Sequence, residues 1–171
     1  MAEQRIEWSV GAQSMNFLLW LYDTSLADAV RSTTWVYPWV NAFHSVGMGF
    51  LVGIILMLGL RVLGFGRYPI APLQKFLVVV WIAFALSFAT GTALFVADAP
   101  RFFASPTFRV KALLIVLAGV TTWMLCKAVF RDSAGWSGAG DAPPATKIIA
   151  GVALACWVGA ILAGRMTAYL P

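Results

Sequence analysis

His44 is the only histidine in the chain, and it sits in an uncharged apolar run from Trp35 to Leu60. An imidazole in hydrocarbon has lost its water, so its nitrogens need partners, and an ionisable group at membrane depth is a candidate functional site. Three chemistries suit it: ligation of haem iron or copper, proton relay, or a hydrogen bond that locks two helices together. At about 100° per helical residue, Met48 lies about 40°, Asn41 about 60° and Ser45 about 100° from His44, so the four residues are expected on one face turned into the protein. Soft sulfur beside imidazole suits copper, which makes His44, Met48 and Met166 the candidate metal ligands. A haem b takes two axial ligands, so a single imidazole would need Met166, water or a histidine of another subunit opposite it.

Second-coordination and headgroup contacts are also available. Ser87 and Thr90 are expected at the depth of His44 on a neighbouring helix, with Thr92 close by. Lys111, Arg165, Arg101 and Arg109 gather near the same interface, where they form a positive rim for haem propionates, a quinone or a lipid headgroup, or simply snorkel to water. No Ser-His-Asp set, H-E-x-x-H, Walker or G-x-G-x-x-G pattern occurs, and the spans contain no carboxylate, so no catalytic residue is assigned.

What must position these residues is a membrane domain. With 61% hydrophobic and 11% charged residues, the chain has more apolar surface than a soluble domain of 171 residues could bury. A hydrocarbon core of about 30 Å needs about 20 helical residues, and segments near 36–60, 73–97, 108–130 and 147–169 meet that length. The ten-residue alternation of membrane strands is absent. The expected fold is an all-α integral membrane protein, one domain over residues 1–171, built as an antiparallel bundle of four transmembrane helices.

Residues 14–32 mix Phe17, Leu18, Trp20, Leu21 and Leu26 with Asp23, Asp28 and Arg31, the pattern of an N-terminal amphipathic helix lying along the interface. Trp35, Tyr37 and Trp39 mark the headgroup level. On that frame His44 is about 12 Å deep. Residues 1–14 lack the apolar core and small-residue cleavage site of a signal peptide. Connections 61–72, 98–107 and 131–146 are rich in Gly and Pro and read as a tight return, a second turn and an exposed loop.

Lys and Arg are spread among span ends and loops, so the net charge of +5 points to lipid headgroups and excludes nucleic acid as a partner. Arg61, Arg67 and Lys75 have no acid beside them, whereas Glu3, Glu7, Asp23 and Asp28 precede the first span, which places both termini in the periplasm of a multi-pass inner-membrane protein. Ser45, Gly49 and Gly53 form a small-xxx-small ladder through which a helix of this chain, a second copy or a partner could pack closely. Cys126 and Cys156 fall at different depths and read as core thiols.

N-A-F-H-S-V-G-M-G-F-L-V-G at 41–53, L-R-V-L-G at 60–64, P-L-Q-K-F at 72–76, Thr90-Gly91 and P-x-F-R-x-K at 106–111 resemble an uncharacterised family of small bacterial four-span inner-membrane proteins. The spacing is also distantly similar to the membrane domain of copper-resistance D proteins and to cytochrome-b561-like bundles, which use several histidines where this chain has one. The resemblance implies fold and membrane location. Two functions stay open: a binding or electron-transfer module, such as a membrane anchor for a periplasmic partner, with haem, copper or quinone at His44; and a structural or interaction protein in which His44 bridges helices.

Overall fold

A computed structural model describes residues 15–66, 68–131, 142–167 and 169, all helical or in short connections, with no strand among them. The expectations for residues 1–14, Arg67 and the middle of the third connection fall outside the described residues. Four helices are long and apolar enough to cross a membrane: Val36–Leu63, Pro72–Ala97, Pro106–Phe130 and Pro144–Met166.

The N-terminal stretch differs from the single helix expected over 14–32. Helix α1, described over 15–22, stops before Thr24, and α2 (Ser25–Ser32) begins after it. The reason is local. The Thr24 side chain accepts from the Ala27 amide at 3.3 Å and donates to the Leu21 carbonyl at 2.7 Å, satisfying a helix start that a through-helix would not have. Arg31 folds back to donate to the Tyr22 carbonyl at 3.0 Å and lies 3.9 Å over the Tyr22 ring, so the two short helices are tied together. Leu18, Ala27 and Val30 are buried, while Phe17, Leu19, Trp20 and Leu26 are exposed.

Helix α3 (Val36–Leu63) begins with Pro38 in its first turn, where a missing N–H costs nothing, and runs three residues beyond the expected Leu60. It ends at Gly64, whose φ of 96° suits only glycine readily. The Gly64 amide bonds Arg61 O at 3.2 Å and the Phe65 amide bonds Leu60 O at 2.9 Å, closing the last turn. The second span is split at Phe76 into α4 (Ala71–Lys75) and α5 (Leu77–Ala97). The second connection, expected as a turn, contains α6 (Ala99–Ala104), started by Pro100. Ser105 is extended because Pro106 follows, and Pro106 opens α7 (Pro106–Arg131). Helix α8 (Pro144–Met166) starts three residues earlier than expected and ends three earlier, again with an extended residue, Pro143, ahead of its first proline.

Two apolar clusters hold the spans. One unites Leu51 and Ile55 of α3, Val80 and Ala83 of α5, Ala118 of α7, and Cys156 and Trp157 of α8. The other fills the end where α3 finishes, with Leu58, Val62, Ile70, Leu73, Leu125, Val129, Ala142 and Ala150. Ala142, at the edge of the connection expected to be exposed, is part of that plug. Outside the clusters the surface is apolar too: Phe50, Val78, Trp81, Phe88, Leu113, Trp123 and Leu162 all face outward, as a chain solvated by lipid requires.

Glycines set the closest approaches between helices. A Cβ on Gly47 would stand 2.5 Å from Ser87 Oγ on α5, and one on Gly59 would stand 3.0 Å from the Leu154 side chain on α8. The expected ladder takes no part: nothing lies within 4 Å of a Cβ on Gly49 or Gly53. The two glycines project about 80–160° away from Gly47 and Gly59 around α3, on the side the internal packing does not use. Trp157 Nε1 donates to Thr122 Oγ1 at 2.9 Å, tying α8 to α7. Both cysteines are free thiols.

Candidate functional site

His44 is half-buried on α3, two turns in from Tyr37. Its Nδ1 lies 3.0 Å from the Ser87 carbonyl oxygen and 3.2 Å from Thr90 Oγ1, both on α5. A carbonyl oxygen only accepts, so Nδ1 carries the proton and donates it to Ser87 O. Thr90 Oγ1 is committed as a donor to Leu86 O at 2.6 Å and Ser87 O at 3.3 Å, which leaves its lone pairs toward the same N–H. The consequence is a fixed tautomer, in which Nε2 keeps a lone pair and has no hydrogen-bond partner among the described residues.

Sequence explains why α5 can come so close. Gly91 leaves the space the ring occupies: a Cβ there would stand 3.0 Å from His44 Cε1 and 3.4 Å from Nδ1. One turn away, Gly47 admits Ser87, whose residue is only 6% exposed and whose Oγ has no partner among the described residues. An unpaired buried hydroxyl costs about 1–3 kcal/mol, so this pair of helices carries an unspent hydrogen-bonding group beside the histidine.

The fourth participant comes from α7. Lys111 lies across α8 at Gly164, where a Cβ would meet its Cε at 3.3 Å and its Nζ at 3.4 Å. The rings of Phe95, Phe102 and Phe108 stack with centroids 5.3–6.5 Å apart, bridging α5, α6 and α7 at this end. His44, Ser87 and Thr90 therefore meet across α3 and α5, and Lys111 of α7 packs on α8 at Gly164.

Other expected members do not join them. Asn41 and Ser45 are exposed, and Ser45 Oγ donates to its own helix at Asn41 O over 2.9 Å. The expected four-residue face is thus divided, because α3 turns Gly47, Leu51 and Ile55 inward and carries Asn41 and Ser45 out of the packed side. Met48 packs against the central apolar cluster, and Met166 is exposed. Thr92 is exposed and bonds Phe88 O on its own helix at 2.8 Å. The positive rim also separates: Arg109 donates to Phe103 O at 3.1 Å, Arg165 is exposed, and Arg101 pairs with Asp98 at 3.7 Å.

Sequence reasoning missed Arg61. Counted among flanking cations, it is 4% exposed, and its Nε donates to the Tyr68 carbonyl at 2.8 Å. The Tyr68 hydroxyl in turn donates to Met57 O. Burial pushes the Tyr68 phenol up from its ordinary value, against the opposing pull of the Arg61 guanidinium. The signal was Arg61 lying only three residues before the helix-ending Gly64, where a side chain can reach back over the turn it closes.

Comparison of the chain with family models, curated proteins and solved structures gave no match.

Proposed function

We propose that this chain is an inner-membrane protein, an antiparallel four-helix bundle with α1 and α2 along the periplasmic interface, that binds a hydroxyl-bearing ring headgroup of the quinol type at His44. The observation that supports this reading is the 3.0 Å bond from His44 Nδ1 to the Ser87 carbonyl. It commits Nδ1–H to the scaffold and leaves Nε2 as a pure acceptor, suited to a hydroxyl proton or to a metal. Lys111, which packs on α8 at Gly164, favours the first: a cation at this end of the spans repels a metal ion and attracts an oxygen that carries partial negative charge. The sulfurs proposed as co-ligands also fit iron or copper poorly, since Met48 belongs to an apolar cluster and Met166 faces outward. In this role the protein is a membrane anchor that presents a quinol-type ligand to an electron-transfer partner. A second copy packs, under the same reading, on the outward Ser45, Gly49 and Gly53 stripe, where both glycines border open space.

A structural role for His44 draws on the same two contacts, because they tie α3 to α5. The readings part in solution. Protein extracted with its native lipids should carry quinone detectable by ultraviolet spectroscopy of an organic extract, and His44→Ala should weaken binding of a short-chain quinol about tenfold or more. No co-extracted quinone and no quinol binding, with only a lowered Tm in His44→Ala, would assign His44 to bridging alone. A Soret band or stoichiometric copper would overturn the quinol reading in favour of a metal. A monomer in nanodiscs would remove the proposed self-contact.

A further inference from the structure

A second polar site lies nearer the interface, clear of His44. A cavity of about 310 Å³ opens among Tyr22 of α1, Arg31 of α2, Tyr37 of α3, and Asp98, Arg101 and Phe102 around the end of α5. That size is at the lower limit of ligand pockets, enough for a compact headgroup. Tyr37 stands two turns from His44 toward the interface, and Asp98 two turns beyond Thr90 and Gly91, so the cavity sits at the level where α5 ends and α3 begins. Trp35 and Trp39, both exposed, mark the same level as a headgroup zone.

The lining has an uneven chemistry. Two guanidiniums and two phenols supply donors, Asp98 supplies a carboxylate, and Leu94, Ala97 and Phe102 supply apolar surface. Each arginine has an acid one turn away, yet the pairs are loose: Arg31 to Asp28 at 3.6 Å and Arg101 to Asp98 at 3.7 Å, against about 2.7–2.9 Å for a well-made charge-assisted bond. An arginine has five N–H donors, so neither pair exhausts its guanidinium. Arg31 is also held in place by the Tyr22 carbonyl at 3.0 Å and the Tyr22 ring beneath it, so it is preorganised at the cavity rather than free to snorkel away. Two partly uncommitted forks facing one small volume suit a tetrahedral oxyanion with several acceptor oxygens.

We propose that the cavity lined by Arg31, Arg101, Tyr22 and Tyr37 binds a phosphate ester, with the guanidiniums on the phosphate oxygens and the Leu94, Ala97 and Phe102 surface against the ligand's apolar part. A lipid headgroup and a soluble phosphate share this chemistry. Location at the end of the spans argues for the lipid, and the experiment separates the two.

Full-length protein, delipidated in detergent, is titrated with short-chain phosphatidylglycerol and separately with inorganic phosphate, and binding is read by native mass spectrometry and by tryptophan fluorescence. Saturable binding of the lipid, uncompeted by millimolar phosphate, identifies the headgroup; binding of phosphate, or competition by it, identifies a soluble phosphate ester. In either case Arg31→Gln with Arg101→Gln should weaken the bound species about tenfold or more, and His44→Ala should leave it unchanged. Asp98→Asn keeps both arginines and frees Arg101 from its acid, so it should tighten binding several-fold even if the double variant does not fold. Equal binding by wild type and the double variant, no binding of either probe to wild type, or no tightening in Asp98→Asn would overturn the proposal.

Discussion

The two ends of the bundle solve opposite problems. Where α3 finishes, Leu58, Val62, Ile70, Leu73, Leu125 and Val129 close the helices around an apolar plug, and the buried charge there, Arg61, bonds the Tyr68 carbonyl within the chain. Where α3 begins, α3 and α5 approach through Gly47 and Gly91 and α8 takes Lys111 at Gly164, and polar groups occupy the space these glycines leave, beside the Phe95, Phe102 and Phe108 rings. His44 spends one nitrogen on Ser87 O, Ser87 Oγ has no partner among the described residues, and Lys111 brings a charge from α7. A buried polar group matched by its own chain stabilises a scaffold, and one left with spare capacity can bind something else. The difference in satisfaction, rather than in polarity, distinguishes scaffold from site.

Equivalent truncations at the two ends test that contrast. The largest effect is expected from Leu125→Ala in the plug: the side chain is fully buried, and deletion should cost about 2–5 kcal/mol through lost contacts and an unfilled cavity. Unfolding in a fixed detergent, followed by loss of helical circular dichroism, measures it. His44→Ala should cost less, about 1–2 kcal/mol, because one interhelical bond is lost and the ring is only half-buried. Should His44→Ala prove as damaging as Leu125→Ala, the two ends would be equally structural and the contrast would collapse.

Sequence showed much of this architecture because the bilayer imposes it. A span must be apolar for its whole length, so the four runs were visible as composition, with starts expected at 36, 73, 108 and 147 against helices that begin at Val36, Pro72, Pro106 and Pro144. The break at Thr24 was harder to see, since a capping threonine inside an amphipathic stretch competes with continuation on energies of about 1 kcal/mol. At the site, the depth of Ser87 and Thr90 was legible in the sequence, but which edge of α3 turns inward was not. Every face of a membrane helix is apolar, so the ordinary amphipathic signal is missing. Packing made the choice instead: Gly47 admits α5 and so turns Asn41 and Ser45 outward, and Gly49 and Gly53, identical in type, serve no internal contact. Arg61 was misread for a related reason. Charge near a span end is usually wet, and only the returning chain at Tyr68 shows where this one goes.

The smallest predicted effect discriminates most finely between the ends. Ser87→Ala keeps the carbonyl that accepts from His44 and removes only the hydroxyl, which has no hydrogen-bond partner among the described residues. If that hydroxyl is spare, its loss relieves a buried unpaired group, and stability of the empty protein should be unchanged or raised by about 1 kcal/mol. The plug behaves otherwise, because Arg61→Ala removes the donor to Tyr68 O and should lower stability by about 1–3 kcal/mol. Measured together by thermal unfolding, a neutral or stabilising Ser87→Ala beside a destabilising Arg61→Ala places spare hydrogen-bonding capacity at the His44 end. A loss in Ser87→Ala equal to that in Arg61→Ala would mean that the hydroxyl is already satisfied in the membrane, and the case for a ligand site would rest on His44 Nε2 alone.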